Sequence, residues 1–412
     1  MPQPNHQEAE LRSESAFHRL IKDPSLRSAI FSFTVTRLLI LFVVLVSANI
    51  RFEPVVRDEF GDIHESSISL KHNRVADVLT RVTSGADSLW ILNIARNGYE
   101  KEPFNTTIQH TWAYFPLYPL LLRSVATLTG NFPVTGIFLS SLLFLVALVF
   151  LYRLVMAFDY EPAVAERTVF YTAAFPASYF FSLAQTESLF LLLTVSCIYA
   201  ASRQRWWLAG LCGALASATR FAGVFLIVPL ALLYWQQANS RSDTPRTVIK
   251  KDVLSLALVP LGLLAFMLYL RSITGNAFAF ADIQAAWGHD GGWFWRPLLA
   301  YIRNPYHLSI NWDFRLLNFC AAVTALIGSI AWLFRRHWAF AVYTLISVIV
   351  PLSYQAGLQS ITRYVMVIFP VFIMLALWGR APRLDQVVRV AFIALLSLMS
   401  AMLAMRVTLA LS

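Results

Sequence analysis

Long apolar runs separated by short polar breaks recur along the chain, at about 29–50, 134–153, 166–183, 187–202, 206–219, 221–236, 253–271, 314–334, 338–355, 362–379 and 388–409. A helix of about 20 apolar residues matches the hydrocarbon thickness of a bilayer. Within lipid, only a helix or a closed barrel satisfies every backbone N–H and C=O. The pattern therefore predicts an all-α polytopic membrane protein, a bundle of about 11 transmembrane helices. The stretch 206–236 is one apolar run interrupted by Ala218-Thr-Arg220, and it counts here as two short spans.

Polar residues set the topology. Residues 1–28 are polar and carry Arg12, Arg19, Lys22 and Arg27, so this segment is expected in the cytoplasm, followed by one transmembrane domain over 29–412. No cleavable signal is expected, because the first apolar run is too long for a signal core. Basic clusters at Arg153, Arg203–Arg205, Arg241–Lys251, Arg335–Arg336 and Arg380–Arg389 belong on the same side. Alternation then works only if 112–131, which contains Pro116, Pro119 and Arg123, is re-entrant or interfacial. The first outer loop accordingly runs over 51–133 and the second over 272–311. In the first, Asp87 precedes a run with Leu89, Trp90, Leu92 and Ile94, and Gly98 closes it. That is an N-capped, short interfacial helix.

Composition narrows the class further. The chain is 58% hydrophobic and 14% charged, with mean hydropathy +0.59, whereas soluble domains carry about 25% charged residues. The net charge of +10 does not point to nucleic acid, because Lys and Arg gather at the ends of apolar runs. Cys197, Cys212 and Cys320 lie inside apolar segments without CxxC spacing, so neither a disulfide nor a metal site is expected. HExxH, P-loop and GxSxG motifs are absent, which removes support for metalloprotease, ATPase and serine-hydrolase chemistry.

The predicted topology collects polar residues on the outer face. Asp58, Asp87, Trp90, His110 and Tyr114 come from the first outer loop. Glu187 opens a span, Arg220 separates two short runs, Gln284 and Trp287 lie in the second outer loop, and Arg363 and Tyr364 follow Ser360. Ionisable groups at membrane depth are costly and point to function, with a partner. Each also has a structural alternative. Asp87 can simply cap its helix, Glu187 can sit at a helix N-terminus for its dipole, the arginines can pair with Glu187 or Asp58, and the aromatics can anchor the interface. His110 also fits an ordinary loop residue. A carboxylate beside arginines at headgroup depth suits a lipid-phosphate substrate: the acid takes a proton from an acceptor hydroxyl, and the arginines hold the phosphate leaving group.

At these residues the chain resembles the PIG-V family, the second mannosyltransferase of GPI-anchor synthesis and its prokaryotic relatives, among the multi-span GT-C glycosyltransferases. The resemblance rests on Asp87-Ser-Leu-Trp-Ile-Leu-Asn-Ile-Ala-Arg-Asn-Gly-Tyr99, Tyr114-Phe-Pro-Leu-Tyr-Pro-Leu-Leu121, Phe175 to Phe190, Ala218-Thr-Arg220 and Ser360-Ile-Thr-Arg-Tyr364. It departs from the family where Gly85-Ala86 precedes the aspartate in place of an Arg-Trp-like pair. The resemblance implies a GT-C-like bundle with interfacial helices in the first outer loop. It implies transfer of a sugar, mannose first, from a polyprenyl- or dolichyl-phosphate sugar to a lipid or glycan acceptor on the outer or luminal face. Asp87 is the implied base and the implied stereochemistry is inversion. No cofactor is expected. The short loops suggest a bacterial inner membrane. The competing function is a transporter or flippase for a lipid-linked or polar substrate; such proteins place charges near the midplane and show repeats, and no repeat is visible. A scaffold that kept the fold without activity is the third.

Overall fold

The computed structural model describes residues 23–53, 56–57, 63–64, 67–70, 74–83, 87–239, 251–288, 291–305, 315–354 and 358–405. The first helix, α1 (Pro24–Ala48), starts where the Asp23 side chain accepts from the Ser25 backbone N–H at 2.8 Å, an N-cap followed by proline in the first turn. Two antiparallel strand pairs follow, β1 (Ile50–Glu53) with β4 (Ser67–Leu70) and β2 (Val56–Arg57) with β3 (Ile63–His64). Then come α2 (Val75–Thr83), α3 (Asp87–Asn97), a 3-10 turn at Thr111–Ala113 and α4 (Leu117–Thr129).

Helix α3 is the short element expected after the first span, and Gly98 ends it at φ 85°, a left-handed position that glycine adopts without steric cost. At about 1.5 Å per residue, α4 is about 20 Å long, too short to cross a core of about 30 Å by itself.

The remaining elements are helical. They are α5 (Phe132–Ala157), α6 (Pro162–Ala174), α7 (Glu187–Ser202), α8 (Trp206–Ser217), α9 (Ile227–Asn239) and α10 (Leu261–Thr274). The segment after α10 contributes α11 (Ala279–Asp282), a 3-10 turn at Ile283–Trp287, and α12 (Arg296–Arg303). The chain then continues through α13 (Arg315–Phe334), α14 (Trp338–Tyr354), α15 (Ile361–Val365), α16 (Phe369–Trp378) and α17 (Pro382–Ala404). Among the described residues, six helical segments are long and apolar enough to cross a membrane, and four shorter apolar helices accompany them. The protein is an integral, multi-pass helical membrane protein.

Three expected spans are broken rather than continuous; one is 253–271, a 3-10 stretch at Lys251–Leu258 that gives way to α10 just after Pro260. The run 166–183 stops as α6 at Ala174 and resumes as a 3-10 turn at Ser178–Ser182, because Pro176 has no N–H to donate and disfavours helical backbone in the preceding residue. The run 362–379 divides into α15 and α16 just before Pro370 for the same reason. The stretch 206–236 is two elements, α8 and a segment that begins as a 3-10 turn at Phe221–Leu226 and continues as α9. Such interruptions expose polar backbone, so they are tolerated at membrane depth only where protein or a cavity covers them.

The core is helix on helix. Helix α5 lies along α7 and against α1, α6 and α4, and α7 packs on α8. Between α8 and the Phe221 turn the packing is so close that a Cβ on Gly223 would overlap the Ala216 carbonyl carbon and the Ser217 nitrogen. Gly223 N–H also donates to the Arg220 carbonyl at 2.9 Å, so this contact fixes the backbone that presents Arg220. Gly223→Ala is expected to destabilise the fold by about 1–3 kcal/mol through overpacking; thermal unfolding in detergent measures it.

Candidate functional site

The site forms where the helix breaks and short turns converge. The first turn of α3 supplies Asp87, the chain after the Thr111 turn supplies Tyr114, and the first residue of α7 is Glu187. The α8–α9 connection supplies Arg220, and α15 supplies Arg363 and Tyr364. These residues are far apart in the chain and are gathered by the packing of α3, α4, α7 and α14.

Arg363 is the centre of the arrangement. Its Nη1 donates to Asp87 Oδ2, and its Nε donates to Glu187 Oε1 at 2.6 Å. Arg220 Nη1 reaches the same Glu187 oxygen at 3.2 Å. The Tyr114 hydroxyl donates to Asp87 Oδ1 at 2.9 Å. Glu187 is fully buried, while the Asp87 side chain keeps 32% of its exposure. The two carboxylates thus differ in role: Glu187 is enclosed and orients the guanidinium groups, and Asp87 faces open space. The Phe180 ring lies under Arg363 at 4.8 Å, and the Tyr364 ring under Arg220 at 5.4 Å, contacts that favour a cation over an aromatic face.

Asp87 does not serve mainly as the cap its spacing suggests. It is the first residue of α3, and both of its oxygens are taken by groups from elsewhere in the fold. A charge-assisted bond to a guanidinium is stronger than a bond to a neutral backbone N–H, which accounts for the preference. Burial pushes the Asp87 carboxyl up, but the Arg363 charge and hydrogen bond, the Tyr114 hydrogen bond and the Arg220 charge outweigh it and hold it below the ordinary carboxylate range. Burial pushes the Tyr114 phenol well above its own range, and the charge of Asp87 adds to that, so the phenol stays a donor.

A cavity of about 290 Å³ opens over these groups, lined by Asp87, Tyr114, Arg220, Gln284, Trp287, Arg363 and Tyr364 among others. Seven of the residues singled out in the sequence therefore share one space. Its apolar wall includes Phe190, Phe280, Tyr343 and Val350. At one side Trp90, Tyr114 and Trp287 form an aromatic cluster, with ring centroids 6.0–6.3 Å apart. Trp90 enters the site through this cluster and Glu187 through its grip on the arginines; neither lines the cavity.

His110 is not brought to the cavity. Its ring stacks on Trp112 at 4.0 Å, Nδ1 lies 2.8 Å from a Glu100 oxygen, and Nε2 lies 3.1 Å from the Asn105 side-chain oxygen. These contacts tie the loop after α3 together. Asp58 lies outside the described residues. Among the described residues no group of three or more His, Cys, Asp and Glu side chains could hold a metal ion.

Two further residues belong with the site. Gln185 donates to the Ser88 hydroxyl at 3.1 Å and so joins the start of α7 to the start of α3. Asn318 on α13 accepts from the Thr362 N–H and hydroxyl at 2.8 and 2.5 Å, holding the turn that carries Arg363. Neither was singled out as a site residue in the sequence. A polar residue inside an apolar run is the one signal that marks Asn318, and Gln185 lies within the quoted Phe175–Phe190 stretch.

A family model described as mannosyltransferase (PIG-V) matches residues 27–319. No curated protein matches the chain. Among solved structures it is similar to the oligosaccharyltransferase of Archaeoglobus fulgidus. The crystal structure of that enzyme tethered with an acceptor peptide containing the NVT sequon is 13% identical, with a TM-score of 0.45, covering 93% of this chain and 54% of that one. For the apo form the identity is 13%, the TM-score 0.43 and the coverage 91% and 55%. For the complex with an inhibitory peptide and a dolichol-phosphate, the values are 14%, 0.43, and again 91% and 55%. The chain spans about half the length of the oligosaccharyltransferase chains it matches.

Proposed function

Because this chain belongs to the mannosyltransferase (PIG-V) family, and so is a membrane glycosyltransferase, we propose that it moves a sugar, mannose first, from a polyprenyl- or dolichyl-phosphate sugar to a lipid or glycan acceptor. The reaction takes place on the outer or luminal face, with Asp87 as general base. The observation that carries this reading is that Asp87, Arg220 and Arg363 line one cavity together. The N-terminal segment is cytoplasmic and the membrane is a bacterial inner membrane.

The chemistry follows from the geometry. An acceptor hydroxyl entering beside Asp87 meets a carboxylate whose oxygens each keep a second lone-pair site. A carboxylate held at low pKa is a weak base towards a free alcohol. As the oxygen bonds to the anomeric carbon, however, its proton becomes strongly acidic, and Asp87 can then take it. On the opposite side of that carbon the bond to the phosphate oxygen breaks, and the electron pair leaves with the lipid phosphate. Attack from one side and departure from the other invert the anomeric centre.

The leaving phosphate gains negative charge, and guanidinium donors are suited to meet it. Arg363 is occupied by both carboxylates, whereas Arg220 uses one of five N–H donors on Glu187 among the described residues. Arg220 is thus the main phosphate contact and Arg363 the bridge. The charges of Asp87, Glu187, Arg220 and Arg363 cancel, so directed hydrogen bonds rather than excess charge would hold the phosphate. The Trp90, Tyr114 and Trp287 cluster offers faces to a sugar ring, and Phe190, Phe280 and Val350 suit an isoprenoid chain.

Incubating the purified protein with polyprenyl-phosphate mannose, glucose and arabinose, each with candidate acceptors, tests this reading. Release of lipid phosphate from the mannose donor is the expected result, and no turnover with any donor would defeat it. The acid limb of kcat/KM is expected below about pH 4, because the folded carboxyl lies under the ordinary value of about 3.9. The same depression stabilises the fold above the unfolded carboxyl value and is lost as pH falls through the lower folded one. Tyr114→Phe removes one of the bonds that lower the pKa, so its acid limb should move to higher pH; a pH–rate profile of both proteins checks the direction.

A further inference from the structure

Arg37 lies inside the first spanning helix, and among the described residues no carboxylate pairs with it. Its hydrogen bonds among the described residues go to one short stretch. Nη1 donates to the Ser178 carbonyl at 2.8 Å and the Ser182 hydroxyl at 3.0 Å. Nη2 donates to the Ala173 carbonyl at 3.0 Å and the Ser178 hydroxyl at 2.9 Å. Ala173 is in the last turn of α6, where exposed carbonyls and the negative end of the helix dipole favour a cation. Among the described residues no acceptor reaches its buried Nε. A charge kept at membrane depth under these conditions points to a task in the protein.

The stretch it clamps leads directly to the cavity. Ser178 and Ser182 are the two ends of the 3-10 turn created by the break at Pro176. Between them, Phe180 places its ring under the Arg363 guanidinium at 4.8 Å. The Phe181 carbonyl accepts from the Ser188 hydroxyl at 2.9 Å, tying the turn to the start of α7 next to Glu187. The Phe181 ring stacks on Phe144 at 4.2 Å, and Phe144 in turn lies under Arg37 at 5.0 Å. The turn is therefore held by Arg37, which does not line the cavity, and through Phe180 it supports Arg363, which does.

We infer that Arg37 is a positioning residue for Arg363: by clamping both ends of the Ser178–Ser182 turn, it fixes the Phe180 ring as the floor on which Arg363 lies while reaching Asp87 and Glu187. This rests on the reading of the cavity as a phosphate and acceptor site. Arg37 touches no reacting group. Its influence passes through Phe180, and that path makes it separable from a general contribution to folding.

The test is a double-mutant cycle on the full-length protein in detergent, with Arg37→Gln, Phe180→Leu and both together. Two quantities are read for each: binding of polyprenyl phosphate, and kcat with polyprenyl-phosphate mannose. Displacing a positioned group by about 1 Å can cost up to about 100-fold. Arg37→Gln alone is expected to lower kcat by about tenfold or more, and by less than about twofold in the Phe180→Leu background, since coupled residues are not additive. Equal losses in the two backgrounds would overturn the inference. Arg37→Lys keeps the charge but not the fork, and it guards against a Gln variant that does not fold. A Lys loss that disappears with Phe180→Leu supports the path; no loss, or the same loss in both backgrounds, refutes it. Wild-type protein that fails to bind polyprenyl phosphate defeats the reading of the site itself. Binding with a strictly multiplicative cycle defeats the Arg37 inference alone.

Discussion

Asp87→Asn is expected to lower kcat by about 10²–10⁴-fold, the usual contribution of a positioned general base, while the protein stays folded. Asparagine keeps the shape of the side chain and can still accept from Tyr114, but it cannot take a proton. Asp87 keeps 32% of its side-chain exposure, so losing its charge strains the fold less than losing a fully buried one. Binding of the donor should change less than kcat, because the phosphate is assigned to Arg220. Steady-state kinetics with polyprenyl-phosphate mannose, alongside thermal unfolding, separate the two effects. A variant with near wild-type kcat would remove Asp87 from the mechanism.

Arg363→Met is expected to have the largest effect on stability. Its side chain is 11% exposed and bridges Asp87 to Glu187, which is fully buried. Among the described residues, removing the cation leaves Glu187 with Arg220 and Asp87 with Tyr114. Breaking a buried pair by deleting one partner costs about 3–5 kcal/mol. Activity should be lost as well, because Asp87 no longer has the bond that fixes its direction. Thermal or denaturant unfolding in detergent measures the first effect, and donor turnover the second. A melting temperature equal to wild type would mean that the bridge is not formed in the membrane protein.

The apolar pattern carried most of the architecture. Runs long enough to span gave helices, because a segment in lipid has few other ways to satisfy its backbone. The Asp87–Gly98 helix was visible in its end signals. The breaks at Pro176 and before Pro370 are less legible, although both prolines are plain in the sequence, because apolar residues continue through each interruption and mask it. Those breaks matter, since one makes the turn that carries Phe180 and the other limits α15 to a single turn around Arg363.

The candidate site was legible in its members more than in its connections. Asp87, Arg220, Gln284, Trp287, Arg363 and Tyr364 were chosen because polar residues at an outer face need a reason, and the fold gathers them around one cavity. The pairing was harder, because Asp87 and Arg363 stand 276 residues apart and nothing local links them. Arg37 was passed over inside an apolar run. His110, a candidate from the first outer loop that also fits an ordinary loop residue, has its ring engaged by Glu100 and Asn105.

The central claim is a single displacement in which Asp87 acts as base and never bonds to the sugar. The most direct test is the anomeric configuration of the product, read by NMR after transfer from a polyprenyl-phosphate mannose of known configuration. Inversion is the predicted result; a product that retains the donor's configuration would contradict the account.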